Sequence, residues 1–143
     1  MTASARQTAY ADQYSAALDH AHRILTQTAD RAGTRIREGH GDPWITSQVT
    51  TLTHALLTNR AHLCPHIDDA PRLAHAAVWA PGHLTCTECA PTLRPDGDEE
   101  TRCDRCRRHT SPVYPGLVGI GPILLAFGLC PPCARHTGIS AAN

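Results

Sequence analysis

Cysteine and histidine recur in close pairs through the second half of the chain. Structural zinc sites are built from such thiolate and imidazole groups, four of which form a tetrahedron around the ion. Because two intervening residues let one tight turn aim both sulfurs at one point, the pairing predicts bound metal. The predicted ligands, in pairs, are Cys64 and His66, Cys86 and Cys89, Cys103 and Cys106, and Cys130 and Cys133.

Eight ligands fill two four-coordinate sites, so we expect two Zn²⁺ ions per chain. Sequential pairing assigns the first two pairs to one ion and the last two pairs to the other. A cross-braced layout, in which the first pair joins the third, is the alternative. His62 is an alternative to His66 as a ligand, and iron is an alternative to zinc in the four-cysteine site.

The ligand pairs also indicate an internal duplication, because each half repeats one order of elements. In each half a ligand pair precedes a β-hairpin, and a second pair opens a helical turn. The first hairpin is predicted at residues 73–79 and 83–85, with its turn at 80–82. The second is predicted at residues 112–118 and 123–127, with its turn at 119–122. This repetition favours sequential pairing, since each hairpin then closes over its own ion.

The order of ligand pair, hairpin and ligand pair resembles the treble-clef and zinc-ribbon classes of zinc finger. The resemblance covers residues 64–137 and identifies a class of scaffold. It implies that a knuckle, a hairpin and a second ligand pair share one ion. The Cys-x-His pair departs from the Cys-x-x-Cys knuckle of these classes.

Helices must flank these modules on the N-terminal side. Apolar residues fall at three- and four-residue steps from about Ser4 to Arg37, which predicts an amphipathic helix. Asp42 and Pro43 then supply an N-cap and a first-turn proline for a second helix that extends to about Asn59. We expect a helical hairpin whose apolar stripes either dock a partner or a second copy, or pack against the zinc modules.

Charge gives little support to a nucleic-acid function. The chain has 13 basic and 13 acidic residues, so it lacks the concentrated positive field that phosphate binding requires. One local exception is a basic stretch around the third ligand pair, which could grip phosphates. Its candidate nucleic-acid contacts are Arg102, Arg105, Arg107 and Arg108.

Catalytic alternatives fit the pattern less well than structural metal sites. Cys130 and Cys133 resemble a thiol oxidoreductase motif, but such a motif needs a βαβ framework that the sequence does not indicate. A zinc hydrolase needs three protein ligands and an open position. Seven cysteines without an export signal at the N-terminus indicate a reducing, cytoplasmic environment, and the longest apolar run is too short for a bilayer.

The sequence therefore predicts an α+β protein without enzymatic activity or a membrane partner. We expect a helical hairpin at residues 1–61, zinc modules at 62–94 and 102–143, and a linker at 95–101. The predicted role is an interaction or regulatory adaptor with structural zinc, and its partner is a protein or a second copy bound through the N-terminal helices. A small DNA- or RNA-binding regulator is the alternative.

Overall fold

The fold was analysed in a computed structural model, which describes residues 2–32 and 41–138. It mixes helices with small sheets, which confirms the α+β class. Three α-helices span α1 (Ala3–Ala32), α2 (Pro43–Leu57) and α3 (Pro131–Thr137). The strands are β1 (His62–Leu63), β2 (Ala74–Ala77), β3 (His83–Leu84), β4 (Tyr114–Ile120) and β5 (Ile123–Leu129). Two 3-10 helices, Ala90–Leu93 and Gly97–Thr101, lie between β3 and β4.

The long helix α1 begins where a capping side chain is available. The hydroxyl of Thr2 accepts a hydrogen bond from the Ala5 amide at 3.1 Å, which satisfies one of the free N–H groups of the first turn. No glycine or proline interrupts the helix before Ala32. The predicted helix extends to Arg37, and its last residues lie outside the part that the structure describes.

Helix α2 starts as the sequence predicts. The side chain of Asp42 accepts a hydrogen bond from the Trp44 amide at 2.9 Å, and Pro43 occupies the first helical position. The helix ends at Leu57, two residues before the predicted end, and Thr58 forms its C-cap. Asn59 then takes a left-handed conformation with φ of 57°, which turns the chain away from the helix axis.

Strands β4 and β5 form the antiparallel hairpin predicted for the second module, but with a shorter turn. Ile120 pairs with Ile123, so only Gly121 and Pro122 form the turn. The predicted four-residue turn at 119–122 is therefore wrong, because Gly119 and Ile120 continue the ladder. Gly121 has φ of 56°, and a two-residue hairpin turn requires this left-handed conformation at its first position.

The hairpin predicted for the first module is reduced to a single antiparallel bridge. His75 and Thr85 exchange two backbone hydrogen bonds, at 2.8 and 2.9 Å. Both strands are otherwise paired elsewhere, because β2 runs parallel to β5 and β3 runs parallel to β1. The larger sheet therefore has the order β2-β5-β4 and joins the two ligand-bearing segments. The proposed boundary at residues 95–101 stays a prediction.

One face of the three-stranded sheet carries α1. Successive residues of a strand point to opposite faces, and Leu124 of β5 points to the first of them. There it packs with Ala21 of α1 and with Leu73. Ile24 and Leu25 of the same helix border this cluster. The C-terminal half of the α1 stripe is thus buried against the sheet.

The opposite face carries α2. Leu125 packs with Leu52, and Phe127 packs with Ile45. The Trp44 ring meets the Phe127 ring edge to face, with centroids 5.6 Å apart. The two long helices therefore cover opposite faces of the sheet, whereas the predicted helical hairpin would place them against each other. The sequence pattern predicted the apolar stripe of each helix, but it did not predict that a sheet lies between the two helices.

Candidate metal centres

The first ligand group, called cluster 1 here, brings together the first two predicted pairs. Its members are Cys64, His66, Cys86 and Cys89. Cys64 follows β1 directly, and a tight turn closed by an Ile67 amide to Cys64 carbonyl hydrogen bond brings His66 beside it. The Nδ1 atom of His66 lies 3.7 Å from the Cys86 sulfur and 3.2 Å from the Cys89 sulfur.

The second group, cluster 2, is formed by the last two pairs. Its members are Cys103, Cys106, Cys130 and Cys133. The first two lie on a knuckle turn that ends with the Arg107 amide donating to the Cys103 carbonyl at 2.9 Å. Arg107 has φ of 65°, a left-handed conformation that sends the chain back toward the hairpin. Cys130 follows β5 as the N-cap of α3, and Cys133 lies one turn into that helix.

Both groups have the dimensions of a tetrahedral metal site. With Zn–S near 2.3 Å and Zn–N near 2.0–2.1 Å, the edges of the tetrahedron are about 3.8 Å between sulfurs and about 3.6 Å between nitrogen and sulfur. The Cys106 and Cys130 sulfurs are 3.7 Å apart, close to the first of these edges. The distances from His66 Nδ1 to the Cys86 and Cys89 sulfurs, 3.7 and 3.2 Å, lie on either side of the nitrogen–sulfur edge. All four ligand atoms of each group lie within 4.8 Å of one another. Two clusters could therefore each hold a metal ion, in the sequential arrangement.

Backbone amides favour one ionised thiol in each cluster. Burial opposes ionisation of Cys64, but amide hydrogen bonds from Cys86 and His66 lower its pKa to about 6. Burial also opposes ionisation of Cys103, and amides led by that of Cys106 lower its pKa to about 6. These two cysteines hold equivalent positions in the two clusters. Amides aimed at sulfur are typical of metal knuckles, because the ligand must be a thiolate.

The pKa of the last cysteine of each cluster is raised instead of lowered. The hydrogen bond with the Cys86 side chain raises the pKa of Cys89 to about 11, with burial adding to the effect. Burial raises the pKa of Cys133 to about 12, against a hydrogen bond from Arg105 that lowers it. Converging thiolates repel one another, so all of them ionise together only when a cation joins them.

Cluster 2 is surrounded by charged side chains that reach it from other elements. One guanidinium nitrogen of Arg105 lies 3.5 Å from the Cys133 sulfur and donates a hydrogen bond to it. The Nε atom of Arg105 is buried 3.9 Å from the carboxylate of Asp42, the N-cap of α2. His136 of α3 lies 3.7 Å from the same carboxylate. The sequence identified Asp42 only as a cap, because these contacts depend on the tertiary fold.

The four arginines predicted to contact nucleic acid are mostly engaged within the protein. Arg107 forms a two-pronged pair with Glu99 and lies 3.6 Å from Asp104. Arg102 donates to the Arg107 carbonyl, and Arg105 faces cluster 2. Within residues 2–32 and 41–138, Arg108 is the one member of the four whose side chain has no polar partner. Nucleic-acid binding stays a prediction, and the geometry of this stretch adds no support to it.

The sequence leaves open whether His62 or His66 belongs to the first ligand group, and their positions distinguish them. His62 is outside cluster 1, and its ring stacks on that of His83 with centroids 5.0 Å apart. The two residues are partners in the β1–β3 ladder, which explains the contact. His66 is the imidazole that lies among the three sulfurs.

The remaining findings limit what can be carried over from other proteins. No family model, curated protein or solved structure matches this chain. None of the helices in the described ranges combines the length and the apolar character needed to cross a bilayer. The functional argument therefore depends on the two clusters and on the surfaces that the fold leaves exposed.

Proposed function

We propose that this chain is a non-enzymatic interaction protein whose fold is held by two structural zinc ions. The observation that carries the proposal is the convergence of Cys64, His66, Cys86 and Cys89, and of Cys103, Cys106, Cys130 and Cys133, on two points. Each cluster offers four protein ligands, so an ion held by all of them has no open position for a substrate or a reactive water.

Zinc is the metal that suits these ligands best. Three thiolates with one imidazole, and four thiolates, are both common zinc sets, and the distances fit zinc bond lengths. Iron also accepts four thiolates, so cluster 2 is where the two metals compete. Native mass spectrometry of the purified chain should give two zinc ions per molecule. One ion, or iron in cluster 2, would contradict the proposal.

We further propose that cluster 2 and its surroundings form a treble-clef module. The support is the order of its parts, in which the Cys103 knuckle is followed by the β4–β5 hairpin and then by α3, which begins beside Cys130. Cluster 1 follows the same order less completely, because its hairpin has one bridge and a 3-10 helix, Ala90–Leu93, follows its last ligands. The duplication is thus an interpretation of matching ligand positions.

The surface that we propose for partner binding is the N-terminal half of α1. Tyr10, Tyr14 and Leu18 recur every four residues along it, and they are 54%, 40% and 36% exposed. The stripe continues into Ala17 and Ala21, which are buried. The stripe therefore covers the sheet with its C-terminal half and is largely exposed before Ala17, where the Tyr14 hydroxyl reaches the β4–β5 turn beside Gly121.

We propose that the exposed half pairs with α1 of a second copy in an antiparallel arrangement. Arg6 and Asp19 lie at opposite ends of the stripe, so antiparallel pairing brings their opposite charges together. Tyr10 of one copy then lies near Tyr14 of the other, and aromatic pairs of this kind contribute beyond their buried area. A protein partner with an amphipathic helix is the other outcome of the test.

Sedimentation velocity tests this arrangement directly. The wild-type chain should form dimers in the micromolar range, and a variant with Tyr10→Ala, Tyr14→Ala and Leu18→Ala should stay monomeric. Alanine keeps the helix intact because its helix propensity is the highest. Tyr114→Ala is the matched control, since Tyr114 is 38% exposed on β4. A wild-type monomer at about 0.5 mM, where even a weak contact would be populated, would reject self-association.

A further inference from the structure

The sheet face that carries α1 is not fully covered by it. A cavity of about 300 Å³ opens beside the helix, and no residue of α1 lines it within the described ranges. Leu117, Leu124 and Ala126 form its floor, on strands β4 and β5. Trp79 and Leu93 form a wall, and the indole N–H of Trp79 donates to the Leu93 carbonyl.

The rim of this cavity carries a cation without an internal partner. Arg94 lines the cavity, is exposed, and its guanidinium has no hydrogen bond or ion pair within residues 2–32 and 41–138. No aspartate or glutamate is among the lining residues. An apolar floor with one unpaired positive charge at its edge is complementary to an anion that has an apolar body.

A second polar group, His75, lies at the rim. The Nε2 atom of His75 lies 3.1 Å from the hydroxyl of Thr87, and the ring is half-buried. Burial lowers the pKa of His75, and the neighbouring His20 lowers it further, which favours the neutral imidazole. This pair can orient a bound group by hydrogen bonding without competing with Arg94 for charge.

We propose that this cavity binds a small aromatic carboxylate, with its carboxylate on Arg94 and its ring against Trp79 and the aliphatic floor. A volume of about 300 Å³ is the lower end of the range for small-molecule sites, which suits one or two fused rings. The site is independent of the docking surface proposed for α1, so either proposal can fail without the other.

One wall of the cavity is formed by the chain segment that directly follows cluster 1. This wall includes Pro91 and Leu93 of the 3-10 helix Ala90–Leu93, which starts directly after Cys89. Thr87, the partner of His75, lies between two predicted ligands. If cluster 1 holds zinc as proposed above, the ion would fix the segment that closes the cavity, and ligand affinity should then depend on metal occupancy.

The test uses the full metal-loaded chain with 2-naphthoate and its neutral analogue 2-naphthamide as probes. Calorimetry should give a dissociation constant for the carboxylate on the order of 0.1–1 mM, as expected for a ligand of this size. The amide should bind about three- to tenfold more weakly, because it lacks the charge that pairs with Arg94. In a ¹H–¹⁵N spectrum the indole signal of Trp79 should shift, and that of Trp44 should not.

Arg94→Gln should weaken 2-naphthoate to the level of 2-naphthamide and leave the amide unchanged. Arg72→Gln is the matched control, because Arg72 is an exposed arginine 3.4 Å from Asp68 and outside the cavity. Metal stoichiometry confirms that each variant is folded. Failure of 2-naphthoate to bind at about 5 mM, well above the expected dissociation constant, would overturn the proposal. Equal binding of both probes, or no effect of Arg94→Gln, would do the same.

Discussion

The two clusters present the same ligand chemistry in contrasting surroundings. In cluster 2, Cys103 is 0% exposed, and three of its cysteines belong to the core group that contains Phe127 and Leu129. In cluster 1, His66 is exposed and only Cys86 is buried. One cluster is therefore part of the hydrophobic core, whereas the other closes a peripheral loop. Similar ligand spacing thus occurs at two different degrees of burial, and we expect the fold to depend more on a metal in cluster 2 than on one in cluster 1.

Charge sharpens the same contrast. Four thiolates with Zn²⁺ carry a net charge of about −2, while three thiolates with a neutral imidazole carry about −1. The more negative site is the one that Arg105 approaches, at 3.5 Å from the Cys133 sulfur. The Asp42 carboxylate holds that arginine from the other side. The ligands of cluster 2 thus connect the β4–β5 hairpin with α3, and Arg105 connects the cluster with Asp42 at the start of α2.

The largest expected effect is the loss of a cluster 2 ligand. Cys103→Ser should abolish cooperative thermal unfolding, because structural zinc contributes about 10–16 kcal/mol in zinc-finger peptides and a domain is stable by only about 5–15 kcal/mol. Cys89→Ser in cluster 1 should leave a cooperative transition at lower temperature. Calorimetry of both variants, with Glu88→Gln as the exposed control, measures the difference. Equal damage from both serine variants would contradict the contrast.

A chelator should remove the metal from cluster 1 faster than from cluster 2. Each cluster has one exposed ligand, His66 in cluster 1 and Cys106 in cluster 2, but three ligands of cluster 2 are buried against only one in cluster 1, so a chelator such as EDTA should reach cluster 1 more easily. We expect two phases of zinc release that differ by at least about tenfold in rate. A colorimetric zinc indicator records both phases, and the Cys89→Ser variant should lose the fast one. Release in a single phase would remove the distinction between the clusters.

Arg105 offers a smaller and more specific test. Arg105→Gln removes the charge that faces Cys133 and should lower the zinc affinity of cluster 2 by about tenfold, within the usual range for groups that contact metal ligands. Competition with a chromophoric chelator measures the affinity of each cluster. Arg72→Gln is the control, because Arg72 pairs with Asp68 and belongs to neither cluster. Parallel changes in both clusters would argue for a general loss of stability.

The smallest expected effect on the free energy of unfolding concerns the helix cap beside cluster 2. Asp42→Ala removes the acceptor for the Trp44 amide, which should cost about 1–2 kcal/mol in the free energy of unfolding. Asp42→Asn keeps the cap and removes only the charge near Arg105 and His136, so its cost should be smaller. Urea unfolding at pH 7 compares the three proteins. An asparagine variant destabilised as much as the alanine variant would place the role of Asp42 in charge rather than capping.

The parts of the molecule that the sequence predicted are those set by local spacing. Two residues between Cys103 and Cys106 already determine a turn that directs both sulfurs to one side, and Asp42 with Pro43 determines where α2 begins. These features depend on neighbours a few residues away. The grouping of the predicted ligands into two clusters, and the α+β class, could therefore be derived without coordinates.

The parts that the sequence did not predict depend on long-range pairing. A strand was predicted within residues 73–79, but its parallel pairing with β5 was not, because that strand lies far along the chain. The position of the helices on opposite faces follows from that sheet. The left-handed Arg107 was also missed, because glycine is the residue expected at such a position.

The pairing of β2 with β5 has a consequence for how this chain can be divided. The backbone of Ala74–Ala77 follows cluster 1's first ligands, yet its hydrogen bonds go to the strand that leads into cluster 2. Cleavage between the two segments would leave β5 with a bare hydrogen-bonding edge, a template for unwanted strand association. We therefore expect that neither half, carrying only one of the two clusters, folds independently, and that the two ligand groups must be transferred together in any fusion.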